Sequence, residues 1–395
     1  MHNERVAFLS EGKIYALHGE KAVAYASSAA ENYIRNIKEL NAKNDWKQRG
    51  HGAQFMGMHL PAEKHDLVQP HVTGLAAMAN GTLAYTLNTG DMAGIYLKNL
   101  DAPDEKDSYV LAKRETALFQ LDVHNGRFAT TTADSTIGRH VAIVSADGGD
   151  ILSCTEGDCN DSNPMWSRAE DGILLYDSCG MSIGTHVPPV IFGPKSVYRL
   201  HVRSGELDEV LEGGAHEYLH PYEAEDGTLY CIRRPYRQTK GGGMSLLDVL
   251  LLPVRLLKGL FGFLNFFTQR YAGESLKTNG GPNPSKAQQK SEKELFIEGN
   301  LLDAEKNMKA NAARGEKCAG YAPSSWELVA KRADGALEVL RKGVLDFRMA
   351  ADGRIVFSNG KYILCMDGAD KGNETLVGAA HLGVMPTILA PQTDA

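Results

Sequence analysis

One short pattern, repeated along 395 residues, predicts an all-β fold: a six-bladed β-propeller closed by N- and C-terminal strands, with an α-helical insertion in the fifth blade. Three observations carry this. First, an Asn-Gly or Asp-Gly pair runs directly into a β-type stretch at Asn80-Gly81, Asn125-Gly126, Asp171-Gly172, Asp226-Gly227 and Asp352-Gly353. Such pairs are strong hairpin signals, and a type I′ turn, with positive φ at both central residues, is the expectation. Second, each hairpin is followed by a third and then a fourth short run, as in His140-Val141-Ala142-Ile143-Val144 and Ile151-Leu152-Ser153. Third, the first three turn glycines lie 45 and 46 residues apart, the period of a four-stranded propeller blade. The glycine count, 41 in 395, reflects those turns.

Taken in order, residues 5–9, 13–17 and 22–25 read as the second, third and fourth strands of a blade lacking its first. Pro386-Thr387-Ile388-Leu389-Ala390 is left over at the other end and supplies it, so both termini share one blade. Next, Ser28-Ala29-Ala30-Glu31 has the form of a capping box. Tyr33, Ile34, Ile37 and Leu40 then fall at helical spacing, giving a short amphipathic helix over about 29–42. The segment behind it places Trp46, Lys47, Arg49 and His51 together. They read either as an anion or partner site at the propeller mouth, or as a solvated connection anchored by the tryptophan.

Complete blades follow at each turn glycine, but two intervals are long: Gly172 to Gly227 spans 55 residues and Gly227 to Gly353 spans 126. In both cases the excess falls between the second and third strands. This divides the chain into a first propeller part (1–239), a helical insertion (240–319) and a second propeller part (320–395), with a shorter insertion at 181–194. Both insertions leave by the same kind of loop, so they are expected on one face and in contact.

Within the long insertion, residues 246–271 carry Leu247, Leu250, Leu251, Val254, Leu257, Leu260, Phe261, Leu264 and Phe267. Asp248, Arg255, Lys258, Asn265 and Gln269 form one polar stripe. A broad apolar face with a narrow polar stripe suits a membrane interface or a hydrophobic partner, which includes the propeller or a second copy of the chain. A spanning helix is disfavoured: each mid-bilayer charge costs up to ~2.5–3.5 kcal/mol, and Pro253 interrupts the run. A Gly/Asn/Pro/Ser/Lys/Gln-rich linker over 273–290 precedes Ser291-Glu292-Lys293-Glu294, which predicts a charged helix to about residue 313, with Leu295, Phe296, Leu302 and Met308 as contacts.

The blade running through Asn163-Pro164-Met165-Trp166-Ser167-Arg168-Ala169-Glu170-Asp171-Gly172 resembles the Pro-x-Trp-Ser-Pro-Asp-Gly repeat of the TolB-like, WD40-like six-bladed propellers. Blade pattern extends over some 300 residues, yet only this blade carries the Trp-Ser core, and Arg168 stands where the family has proline. The repeats begin within the first residues, so neither the export signal nor the α/β domain found in TolB itself is expected here. The resemblance therefore implies the fold rather than an activity.

Composition narrows function by exclusion. Hydrophobic residues make up 43% and charged residues 23%, the balance of a folded chain. A formal charge of −7 removes the general electrostatic case for binding nucleic acid. The first residues become polar at Ser10-Glu11, without an apolar export core, so a cytoplasmic location, with possible association to membrane, is the expectation. Six cysteines then read as free thiols, although the spacing of Cys154 and Cys159 would also suit a bridge or half a metal site. No Gly-x-Ser-x-Gly, Walker, His-Glu-x-x-His or dinucleotide motif is present.

Channel-lining candidates on first strands are Asp122, Asp161, Glu217, His220, Asp346 and Arg348. Asp158, Asn160, Asp161 and Asn163 cluster between two blades and read as a hydrogen-bonded turn. No catalytic residue, cofactor or metal is assigned. The leading expectation is a non-catalytic interaction scaffold, attached through residues 246–271 to a membrane surface or an unidentified protein partner. The alternative is a metal-dependent hydrolase or lactonase using the central channel, and a third reading gives the apolar helix an oligomerising role.

Overall fold

A computed structural model describes residues 5–49, 69–78, 81–89, 92–133, 138–145, 147–183, 190–236, 294–297, 300–332, 334–367 and 374–389. The nine apolar residues from Leu247 to Phe267 and His51 lie outside these residues, as do the side chains of Trp46, Lys47 and Arg49.

Six antiparallel sheets form the ring. Blade 1 contains β1 (Arg5–Ser10), β2 (Lys13–His18) and β3 (Lys21–Tyr25), with β27 (Val384–Leu389) as its inner strand. The closure is in register, Val6 opposite Ile388 and Ala7 opposite Thr387. Blade 2 is β4 (His71–Ala77), β5 (Thr82–Asn88), β6 (Met92–Asn99) and β7 (Ser108–Arg114). Blade 3 is β8 (Ala117–His124), β9 (Arg127–Ala133), β10 (His140–Ser145) and β11 (Leu152–Ser153).

In blade 4, β12 (Cys159–Trp166), β13 (Ile173–Ile183), β15 (Ser196–His201) and β16 (Leu207–Leu211) are joined by β14 (Val190–Phe192), which pairs with the overlong β13. Blade 5 is β17 (His216–Glu223), β18 (Leu229–Pro235), β21 (Glu327–Lys331) and β22 (Leu337–Lys342). Blade 6 is β23 (Asp346–Met349), β24 (Arg354–Ser358), β25 (Tyr362–Asp367) and β26 (Glu374–Ala379). Both insertions therefore separate second from third strands, as the glycine spacing requires.

The hairpins form where expected but mostly with another turn. Asn125 and Gly126 both have positive φ, 47° and 70°. Beside Gly172, Gly227 and Gly353, at 82°, 78° and 82°, the preceding aspartates do not. The Gly172 loop is longer, closed by the Ser167 N–H on Ile173 O; at the other two, the Gly227 N–H bonds Ala224 O and the Ala224 N–H bonds Thr228 O, with the same pair of bonds around Ala350 and Gly353. That is a type I turn closed by a left-handed glycine, the three-residue hairpin loop. The aspartate caps the turn instead: Asp226 accepts from the Thr228 N–H, and Asp352 from the Arg354 N–H.

No blade buries its own core. One apolar cluster joins Ala7, Leu9, Ile14 and Leu389 of blade 1 to Val72, Leu75, Leu83 and Tyr85 of blade 2. Another joins Ile232, Leu328 and Leu340 of blade 5 to Phe347, Phe357 and Leu364 of blade 6. The remaining four seams are filled in the same way. The seams hold the stabilising apolar area, so neighbouring blades fold on one another.

Two helical expectations change. Helix α1 spans Ser28–Arg49, past the expected end near 42, and carries the backbone of Trp46, Lys47 and Arg49 within its last turns. Its cap is Ser27 rather than Ser28, the Ser27 hydroxyl accepting from the Ala30 N–H at 3.1 Å. Asp107, fully buried and paired with Lys98 at 3.1 Å, accepts from the Ser28 N–H and the Tyr85 hydroxyl, fixing the helix start. Burial and then the Asp107 bond raise the Tyr85 phenol well above its ordinary range.

The charged helix expected to begin near Ser291 is shorter. Leu295 and Phe296 belong to a hairpin of β19 (Glu294–Ile297) and β20 (Asn300–Asp303), and α2 covers only Ala304–Ala313. Asp303 caps it, accepting from the Lys306 N–H at 2.9 Å.

Candidate functional site

First strands line the centre of the ring, and their geometry is unusual. Blades 1, 3, 4 and 5 each break register on the first strand around a non-glycine residue with positive φ: Met385 at 51°, Gln120 at 46°, Asn163 at 51° and His220 at 53°. Such bulges turn backbone donors out of their own sheet. The His220 N–H reaches Asp177 of blade 4 at 3.0 Å, and the Met385 N–H reaches Asp346 of blade 6 at 2.6 Å.

The six channel candidates are spread over blades 3 to 6. Asp122 (β8) accepts both bonds of the Arg168 guanidinium of blade 4, at 3.0 and 3.2 Å, and the Trp166 N–H at 2.9 Å. Arg168, in the position of the family's proline, thus ties blade 4 to blade 3; burial opposes its charge, but Asp122 raises its pKa above the ordinary value. Glu217 (β17) accepts from Arg234 (β18) at 2.6 Å within blade 5, and that guanidinium stacks over Trp326 at 4.6 Å. His220 and Asp346 are brought together across the seam of blades 5 and 6, Nδ1 to Oδ1 3.4 Å. Arg348 is half-buried two residues further along β23.

Asp161 sits apart from these, at the seam of blades 3 and 4, 1% exposed. Its carboxylate accepts from the Thr155 hydroxyl, and its N–H donates to Arg139 O at 3.0 Å. Nearby, the Cys159 sulfur lies 3.7 Å from His140 Nδ1. Burial, then Asp161, push the Cys159 thiol up to about 12. Among the described residues His140, Cys159 and Asp161 form a group whose side-chain donor atoms all lie within 4.8 Å of one another. Asn163 does not join a cation cluster; its amide donates to Asp177 at 2.7 Å. Cys154 and Cys159 are not bridged.

Asp177 is the residue the turn-based reading missed. Fully buried on β13, it accepts from Lys195 at 2.5 Å, from Asn163 and from His220. Its signal was present: one carboxylate inside Ile173-Leu174-Leu175-Tyr176-Asp177. Asn88 ends β5 in the same way, exchanging bonds with the Leu118 backbone of blade 3 at 2.7 and 2.9 Å. Ser358 ends β24 and donates to Gly383 O just before β27. Polar groups on second strands, within β13 or at the ends of β5 and β24, latch each of these blades to the next.

That end of the ring, where second strands pass to third strands, also bears both insertions. Tyr236, at the root of the long one, donates its hydroxyl to Phe192 O in the short one at 2.7 Å. Leu302 just before α2, and Ala322 and Trp326 beyond it, pack with Leu345 of blade 6. Asn311, 1% exposed, donates to Gly320 O and Ala322 O at 2.9 and 3.0 Å. Met308 meets Lys361 through its sulfur at 3.2 Å. Residues 300–326 are thus folded onto blades 5 and 6. The opposite end, at the Gly turns, carries a cleft of about 1060 Å³ lined by Arg5, His18, Tyr25, Asp101, Arg354 and Asp367, with Arg5 paired to Asp101.

These blades, seams and closure make the protein a six-bladed β-propeller. Among solved structures it is similar to TolB from Acinetobacter baumannii, at 9% identity and TM-score 0.48, over 98% of this chain and 66% of that one. It is similar to the tricorn protease at 11% identity and TM-score 0.44, over 97% of this chain but 33% of that one. A putative TolB from Agrobacterium tumefaciens aligns at 13% identity and TM-score 0.42, over 79% of this chain and 82% of that one. The chain thus spans less than two thirds of the first two. No protein-family profile and no curated protein sequence matches it. No helix among the described residues is long and apolar enough to cross a membrane.

Proposed function

We propose that this propeller is a non-catalytic interaction platform, attached through residues 246–271 to an apolar surface, either a membrane interface or a hydrophobic protein partner. The observation that carries this reading is the use made of the channel carboxylates. Asp122, Glu217 and Asp346 each have a cationic or histidine partner, and Asp122 and Asp346 also accept backbone donors, from the Trp166 and Met385 N–H groups. Carboxylates committed in this way brace the ring instead of converging on a substrate, as a channel hydrolase or lactonase would require.

The insertion end supports the second half of the reading. Residues 237–293 leave from Tyr236 and return at Glu294, next to a segment anchored on blades 5 and 6. Their nine apolar positions from Leu247 to Phe267, which the sequence pattern would gather on one broad face of a helix, suit a desolvated surface. The full chain is compared with Leu257→Glu/Leu260→Glu/Leu264→Glu by co-sedimentation with mixed phosphatidylcholine and phosphatidylserine vesicles and by light scattering. Vesicle binding lost in the variant supports a membrane surface. Self-association lost in the variant supports a second copy as the hydrophobic partner. Equal behaviour of both proteins in both assays overturns the attachment reading.

A further inference from the structure

We propose that His140, Cys159 and Asp161 form a zinc-binding site bridging blades 3 and 4. The donors come from two blades: His140 opens β10 of blade 3, while Cys159 and Asp161 lie two apart on β12 of blade 4. Alternation along a strand puts residues two apart on one face. A parallel bridge between Arg139 and Asn160 sets the adjacent His140 beside that face. The alignment is local and backbone-defined.

The distances fit a tetrahedral ion. Zn–S of about 2.3 Å and Zn–N of about 2.0–2.1 Å, meeting at the tetrahedral angle, hold sulfur and nitrogen about 3.6 Å apart. His140 Nδ1 and Cys159 Sγ are 3.7 Å apart, and the Asp161 carboxylate lies within 4.8 Å of both. One nitrogen, one sulfur and one oxygen select a borderline-soft ion over calcium or magnesium, which take oxygen.

The surroundings are built for it. The Thr155 hydroxyl donates to Asp161 Oδ2, the kind of outer contact that orients a ligand. Gly138 admits the chain against the Cys159 carbonyl, where a Cβ would lie 2.9 Å from that oxygen. Three protein donors leave one tetrahedral position for a solvent oxygen, and His140 and Cys159 are half-buried, so the site is reachable.

Cobalt(II) is the spectroscopic probe for zinc here. The full chain, dialysed against chelator, is titrated with Co²⁺ and followed for thiolate-to-cobalt charge transfer in the near ultraviolet, then challenged with Zn²⁺. The expected result is one equivalent bound, the band bleached by zinc, and at least tenfold weaker binding in Cys159→Ser and His140→Gln. Cys154→Ser, whose sulfur faces Leu152 O at 3.6 Å, keeps the band. A second readout needs no variant: zinc slows alkylation of Cys159, mapped by mass spectrometry, and leaves Cys154 unchanged. Absence of a band together with unchanged alkylation overturns the proposal, leaving a thiol–imidazole contact only; a band that survives in folded Cys159→Ser also overturns it.

Discussion

Replacing Asp177 by alanine is predicted to weaken the ring more than any exposed change. The side chain is completely buried and holds three donors from both sides of a seam: Lys195 Nζ at 2.5 Å, Asn163 Nδ2 at 2.7 Å and His220 N at 3.0 Å. Two neutral donors lose their acceptor, at about 1–3 kcal/mol each, and a largely buried ammonium loses its counter-charge. Lys195 keeps the Ser162 hydroxyl at 2.7 Å and its side chain is 13% exposed, so these losses do not simply add. Breaking one side of a buried pair costs about 3–5 kcal/mol, and that range is adopted for Asp177→Ala. Lys195→Met should cost a similar amount, whereas the double variant Asp177→Asn/Lys195→Met, which removes both charges, should recover at least half. The assay is urea unfolding followed by tryptophan fluorescence for Asp177→Ala, and for Asp177→Asn, Lys195→Met and their double variant as one double-mutant cycle. A loss below about 1 kcal/mol for Asp177→Ala, or strictly additive single effects, would refute the seam-latch reasoning.

Three further predictions follow from particular contacts. Gly74→Ala places a Cβ 2.5 Å from the Gln120 carbonyl carbon and 2.8 Å from Leu121 N across the seam of blades 2 and 3, so a loss of about 1–3 kcal/mol is expected in the same unfolding assay. Deleting residues 238–293 should leave the urea midpoint within error, whereas extending the deletion to 319 removes buried Leu302 and Asn311 and should lower it clearly; equal midpoints would argue against the observed packing. Glu327, opposed by burial, is nonetheless held below the ordinary carboxylate range by Arg233 and Lys342. A depressed folded pKa stabilises above the unfolded value of about 4.3 and is lost as pH falls through the folded one. Glu327→Gln should therefore cost about 1 kcal/mol or less near neutrality, the scale of a solvent-accessible pair, and the difference should vanish in acid; a gap that persists there contradicts the assignment.

How much of this was legible depended on where the physics is local. Turn glycines such as Gly172, Gly227 and Gly353 mark hairpins because positive φ is a property of one residue, and so the blade count and the stitched first blade could be read directly. The turn type was misread because the cap supplied by Asp226 or Asp352 lies in a side-chain bond, and both hairpin loops share the same Asp-Gly pair. Latches such as Asp177 and Asn88 were hidden for a different reason. Their partners lie 43 and 30 residues away, and nothing within one blade shows that a polar strand end will be buried by the next.

The candidate site divides in the same way. Asp122, Glu217, His220 and Asp346 were correctly placed on inner strands by repeat position, but their pairings depend on the stagger between blades. Asp161 was noticed, while His140 was not, because a third-strand histidine meets the neighbouring first strand only through the bridge at Arg139 and Asn160. The helix expected near Ser291 failed on competition: Leu295-Phe296-Ile297 and Leu301-Leu302 pair as strands, and Asp303 is the cap that starts α2.

In the proposed function, attachment to an apolar surface belongs to residues 246–271, while the first-strand carboxylates Asp122, Glu217 and Asp346 serve closure. Hydrogen–deuterium exchange of the intact chain, with and without phosphatidylserine-containing vesicles, tests it most directly. Protection should rise in peptides covering Leu247 to Phe267 and stay constant in β8, β12, β17 and β23. Unchanged exchange over 246–271, together with new protection around Asp122, Glu217 or His220, would contradict it.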